Sequence, residues 1–142
     1  MRFVSSYFAA KIILRMNTHT CLICIGSNFE SKKNLAFARK ELAICFPDIV
    51  YSEEITTSPL FFQKNKDPFS NQLAQFTSEL SFEEIERICK SIEKQAGRSD
   101  KEKKSEIIRL DVDLLKFGEV ILKPQDMKRD YIRYLLKNIS LN

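Results

Sequence analysis

The chain has 142 residues, a length that a prior of about 100–200 residues per domain confines to one domain. Hydrophobic residues make up 44% and charged residues 30%, which excludes a disordered chain, and no apolar run reaches the ~18 residues that span a bilayer. Basic side chains number 23 and acidic ones 19, so the net charge is +4. That excess suits an anionic ligand such as a nucleotide but is too small to argue for nucleic acid, and no nucleic-acid motif is present.

Residues 1–15 are basic and partly apolar, with no acidic residue and no small-residue cleavage site. They read as an extension upstream of a translation start at Met16, with an amphipathic helix on a membrane surface as the alternative. A single domain over residues 16–142 is expected to follow. Residues 20–25 are β-branched and apolar and predict a strand, ended by the turn Gly26-Ser27-Asn28. Leu35, Ala38, Leu42 and Phe46 then recur at helical spacing, with Ser31 as expected N-cap and Pro47 as the stop. A second strand is predicted over 49–57, a loop over 58–68 and a third strand over 69–80.

Ser81 and Glu84 form a capping box for a helix whose stripe is Ile85, Ile88, Ile92 and Ala96, and Gly97 closes it. Residues 98–106 contain no apolar residue and predict a mobile loop. A strand over 107–117 and a helix over 126–138 complete the chain. The order β-α-β-β-α-β predicts an α+β, ferredoxin-like antiparallel sheet with both helices on one face, plus a C-terminal helix.

His19 is the only histidine, in Thr18-His19-Thr20 with no nucleophile elbow nearby, so a packing or surface role is expected. The pair Cys21 and Cys24 has no second pair or histidine partner to make a zinc site. With Cys45 and Cys89 on predicted helices, all four cysteines read as buried free thiols of a reducing cytoplasm.

The sharpest chemical feature is Arg109-Leu110-Asp111-Val112-Asp113-Leu114. Alternation puts Leu110, Val112 and Leu114 on one face and Arg109, Asp111 and Asp113 on the other. Two carboxylates spaced this way can converge on a hard cation such as Mg²⁺, which also takes phosphate oxygens. The same charges equally suit a solvated strand protected against edge pairing. Arg98 either clamps a phosphate or caps a helix C-terminus electrostatically, and Glu93 lies one turn before it. Lys101, Lys103 and Lys104 either attract polyphosphate or are simply solvated. Phe69 and Asn71 point to the same side of the third strand, which suits a flat heteroaromatic ligand as well as a core.

Taken together, these positions resemble the 6-hydroxymethyl-7,8-dihydropterin pyrophosphokinases. The resemblance runs in order through Ile25-Gly26-Ser27-Asn28, Ser52, Thr57-Ser58-Pro59-Leu60, Phe69-Ser70-Asn71, Ile92-Glu93, Gly97-Arg98, Arg109-Leu110-Asp111-Val112-Asp113 and Phe117-Gly118. It implies a Mg²⁺-dependent transfer of diphosphate from ATP to a pterin alcohol in folate biosynthesis, with release of AMP, by a cytoplasmic monomer. Asp111 and Asp113 would hold two Mg²⁺ ions, and Arg98 would contact the transferring phosphates. Lys90 and Glu93 would lie at the nucleotide. Phe69, Asn71 and Tyr131 would grip the pterin, and backbone of Thr57, Ser58 and Leu60 would read its edge.

The departures are concrete. The family's Trp-Gly-Pro-Arg-Thr is replaced by Ser105-Glu106-Ile107-Ile108-Arg109, so the tryptophan is lost and the second catalytic arginine becomes Ile108. Arg109, one position late, either replaces that arginine or neutralises the carboxylates. Phe61 stands where a glycine is usual, and Pro124-Gln125-Asp126-Met127 lacks the family's histidine. These losses also suit a catalytically weakened paralogue that binds nucleotide or pterin as a regulatory module.

Overall fold

The computed structural model describes residues 17–139, so the expected extension over 1–15 and the start at Met16 lie outside the described residues. The strands are β1 (His19–Ser27), β2 (Val50–Tyr51), β3 (Ile55–Thr57), β4 (Phe69–Ser78), β5 (Asp111–Phe117) and β6 (Val120–Ile121). The helices are α1 (Ser31–Cys45), α2 (Phe82–Gln95), α3 (Asp100–Lys104), α4 (Pro124–Met127) and α5 (Asp130–Ile139). The sheet is antiparallel, in the order β2-β4-β1-β5-β6, with β3 also paired to β4. This is the ferredoxin-like α+β plan that the element order predicts. No described helix is long and apolar enough to cross a membrane.

Strand β1 lies at the centre and is apolar on both faces, because both are covered. Cys21, Ile23 and Ile25 pack with Leu35, Ala38 and Leu42 of α1 and Ile85, Cys89 and Ile92 of α2. On the opposite face, Leu22, Cys24, Leu73 and Leu115 pack against Ile132, Leu135 and Ile139 of α5. Adjacent Leu114 and Leu115 of β5 enter different layers by ordinary strand alternation, and the β1–β5 register shifts beside them, between Leu22 and Ile23. The Cys21–Cys24 pair, three apart on a strand, therefore sends its thiols to opposite faces, and all four cysteines are free. Cys21, Cys24 and Cys89 are buried as expected, but Cys45 is exposed, since it ends α1 beyond the Leu35-Ala38-Leu42 stripe.

Local chemistry explains the boundaries. The Ser81 hydroxyl accepts the Glu84 N–H at 3.2 Å, completing the predicted capping box, and Gly97 takes φ +98° just past α2. Ser31 is not the N-cap of α1. Glu30 occupies that position in left-handed backbone, and the Ser31 hydroxyl donates to the Ser27 carbonyl at 2.8 Å. The predicted strand 49–57 is two strands, because buried Ser52 breaks it. Its N–H donates to the Leu73 carbonyl and its hydroxyl accepts the Leu73 N–H, each at 2.9 Å.

The charged stretch after Arg98 is not an unstructured loop. Ser99 accepts the Glu102 N–H at 3.2 Å and caps α3. Strand β5 starts at Asp111 rather than at 107, since Ile108 is bonded instead to Asn28, by its N–H to Oδ1 at 2.7 Å and by its carbonyl to the N–H at 3.1 Å. The predicted final helix is divided into α4 and α5. His19 stacks on Phe117 with ring centroids 4.3 Å apart, at the end of β1 remote from Asn71 and Asp111, consistent with packing.

Candidate active site

Gly26, near the end of β1, pairs with Asn71 of β4 on one side and Asp111 of β5 on the other. Cys24, two residues earlier, pairs with Leu73 and Asp113. The even positions of β1 and the aspartates of β5 thus share the face that α5 covers. Helix α5 begins at Asp130, so this end of the sheet stays open as a cavity of about 590 Å³. Its floor includes Gly26, Asn71, Asp111 and Asp113, its near wall Thr57, Ser58, Leu60 and Phe69, and its far wall Arg129 and Tyr131.

Every residue that the family resemblance assigns to pterin or metal lines this one cavity. The Asn71 side chain is 6% exposed and donates to the Thr57 hydroxyl at 2.8 Å, which leaves its amide oxygen for a ligand edge. Phe62 packs on Phe69 at 5.7 Å between centroids and enlarges the aromatic wall. Burial pushes the Tyr131 hydroxyl up to about 12, although the Arg129 guanidinium bonded to it works the other way, so the ring is a neutral phenol at working pH. A Cβ on Gly26 would come within 3.0 Å of Asn71 Oδ1. Gly26→Ala is therefore expected to displace that amide and weaken a pterin-type ligand about tenfold, with little effect on nucleotide. Calorimetry with each ligand checks this, and an unaltered pterin affinity would remove Asn71 from the site.

Asp111 and Asp113 stand side by side. Burial, then the Asp111 charge and a hydrogen bond to it, push the Asp113 carboxyl up to about 7. Such a pair holds a proton between its members unless a cation replaces it. The donors are hard oxygens, which fits Mg²⁺. Among the described residues no three His, Cys, Asp or Glu side chains cluster to enclose a metal, so water and phosphate oxygens would complete the shell, as Mg²⁺ prefers.

The folded state binds more protons between the ordinary Asp value of 3.8 and about 7, so metal-free stability falls as pH rises through that window. A Mg²⁺ ion bound at the pair would displace the proton, so the rise in melting temperature on adding Mg²⁺ is expected to be larger at pH 8 than at pH 5.5. Equal rises would rule out this pair as the cation site.

Arg98 reaches the same place from behind. Its Nη1 donates to Asp111 Oδ1 at 2.9 Å, to the Leu110 carbonyl at 3.3 Å and lies 3.1 Å from Glu93 Oε2. Glu93 is only 5% exposed, and its Oε2 accepts the Val112 N–H at 2.8 Å. Burial holds the Glu93 carboxyl above its ordinary range, against the pull of that N–H and of Arg98. Glu93 therefore positions Arg98 and β5 from beneath. Lys90 is exposed on α2 and is not among the cavity residues.

Arg109 does not share the aspartate face, since β5 begins only at Asp111. Its Nε and Nη2 bond Glu102 at 2.7 and 2.9 Å, and its guanidinium lies 4.5 Å over the Phe29 ring. Three polar groups of the far wall, Asp126, Arg129 and Asp130, were not anticipated. Arg129 Nη2 is 3.2 Å from Asp126 Oδ1. The only sequence signal for them was Pro124-Gln125-Asp126-Met127, whose spacing carries no periodic cue of its own.

No curated protein matches the chain. The family model for 7,8-dihydro-6-hydroxymethylpterin-pyrophosphokinase matches residues 22–141, a span that takes in every residue lining the cavity. The chain belongs to the 7,8-dihydro-6-hydroxymethylpterin-pyrophosphokinase family.

Proposed function

We propose that the protein transfers the terminal diphosphate of ATP to the hydroxymethyl group of 6-hydroxymethyl-7,8-dihydropterin, a step of folate biosynthesis. The observation that carries this reading is the single cavity with an aromatic, amide-bearing end (Phe69, Asn71, Tyr131) and a carboxylate end (Asp111, Asp113) on one sheet face. A flat, hydrogen-bonding ring suits the first and a metal-bound polyphosphate the second.

The pterin hydroxyl oxygen forms a bond to the β-phosphorus as the bond from that phosphorus to the α,β-bridging oxygen breaks. AMP leaves with the bridging oxygen, and the hydroxyl proton passes to solvent. Mg²⁺ bound at Asp111 and Asp113 would neutralise phosphate oxygens in the transition state. Phe69 and Tyr131 hold the ring, and Asn71, oriented by Thr57, fixes its rotation so that the hydroxyl faces the carboxylate end. Arg98, held by Glu93, and Arg129, on the far wall, supply positive charge at the phosphates.

A binding module without fast transfer is the second reading, favoured by the ion pair that holds Arg109 on Glu102 and by buried Ile108 in place of the family's arginine. Release of AMP from ATP and Mg²⁺, measured with and without 6-hydroxymethyl-7,8-dihydropterin, separates the two. Pterin-dependent AMP supports the transferase. Nucleotide binding by calorimetry without AMP release would overturn it in favour of the module.

A further inference from the structure

Glu106 takes the left-handed backbone that glycine adopts most readily, φ +62°. Its side chain does something a glycine cannot. The carboxylate accepts the Gln63 N–H at 3.0 Å from each oxygen and the Lys64 N–H at 2.6 Å. The Glu106 carbonyl accepts the Asn65 side-chain amide at 3.0 Å and that of Asn28 at 2.8 Å. The Lys64 ammonium donates to the Lys104 carbonyl at 3.1 Å. Residues 63–65 directly follow the cavity residues Leu60, Phe61 and Phe62, and Glu106 precedes Asp111 by five residues in the segment that also carries Arg98.

We propose that Glu106 is a positioning residue that ties the loop over the aromatic end of the cavity to the segment over its carboxylate end, so that a ligand ordering one orders the other. The proposal rests on the diphosphotransfer reading for the identity of the two ligands alone. The carboxylate's bonds to Gln63 and Lys64 face solvent, so the tie is one that opens and closes rather than a fixed brace. Coupling through it is reciprocal: whatever factor the nucleotide adds to pterin affinity, the pterin adds to nucleotide affinity.

Two variants test it on the full chain. Glu106→Gly keeps the left-handed backbone free of penalty and removes the carboxylate, while Glu106→Gln retains one oxygen acceptor. Without ligand, amide exchange at Gln63 and Lys64 is expected to accelerate about tenfold in Glu106→Gly and less in Glu106→Gln, with melting temperatures unchanged or raised. Unaltered exchange overturns the tie. In a second measurement, the affinity of α,β-methylene-ATP with Mg²⁺ is read with and without 6-hydroxymethylpterin. The ratio of the two affinities is expected to exceed one in the unmodified chain, to fall towards one in Glu106→Gly and to be partly restored in Glu106→Gln. A ratio of one in the unmodified chain, or the same ratio in all three proteins, overturns the coupling. If the unmodified chain binds neither ligand, the diphosphotransfer reading fails, and the exchange rates still decide whether the tie exists.

Discussion

Asp113→Ala is expected to abolish Mg²⁺-dependent nucleotide binding and to lower turnover about 10³-fold, because a metal at phosphate oxygens contributes several kcal/mol and about 4 kcal/mol corresponds to that factor. The other half of the cation site does not compensate. Asp111 remains, but Arg98 already holds its Oδ1 at 2.9 Å, and a lone carboxylate so engaged is a poor host for a divalent ion. Folding is not what the substitution threatens. Burial and the Asp111 charge push Asp113 up to about 7, so the pair is a cost to the metal-free protein at pH 8, and the variant should melt at the same or a higher temperature there. Calorimetric titration of ATP with Mg²⁺ into both proteins is the measurement. Undiminished affinity in the variant would dismiss the metal assignment.

The largest expected effect on stability is at Glu93. This carboxylate is 5% exposed and serves the Val112 N–H and the Arg98 guanidinium at once. Truncation to alanine leaves a buried N–H and a half-buried cation without their acceptor, a change that costs about 3–5 kcal/mol for a fully buried pair. Arg98 keeps its bond to Asp111 and some contact with water, so a loss near ~3 kcal/mol is expected. Glu93→Gln can still accept the Val112 N–H and should lose only about 1–2 kcal/mol. Urea unfolding of the three proteins decides it. A loss below ~1 kcal/mol for the alanine variant would mean that the pair contributes no net stability.

Much of the plan was legible because it rests on short-range rules. The capping box at Ser81 and Glu84, the left-handed Gly97 and the alternation from Leu110 to Leu114 are each decided within a few residues. The family's order of motifs supplied the cavity residues, since Thr57, Ser58, Leu60, Phe69, Asn71 and Tyr131 converge only through the β3–β4 pairing and the docking of α5. What stayed hidden depends on partners distant in sequence. Ser52 divides a strand because it bonds Leu73, and Ile108 leaves the ladder because Asn28 holds it. Arg109 has the alternation of a site residue, but the helix α3 that turns it towards Glu102 has no apolar stripe by which to announce itself.

The second face of the sheet has a consequence for how the protein is made. Among the described residues, Leu22, Leu73 and Leu115 are covered mainly by α5, the last described element, with Met127 of α4 and Ile55 beside it, while every buried residue of the layer beneath α1 and α2 lies on or before β5. A chain emerging residue by residue therefore completes one layer while the other remains an open apolar surface. During that interval the nascent protein offers a greasy sheet to chaperones and to other unfinished copies. The arrival of α5 closes that surface and, with Tyr131, sets the far wall of the cavity. Sheltering the sheet and completing the cavity are thus the same event, and a proteolytic cut ahead of α5 would undo both.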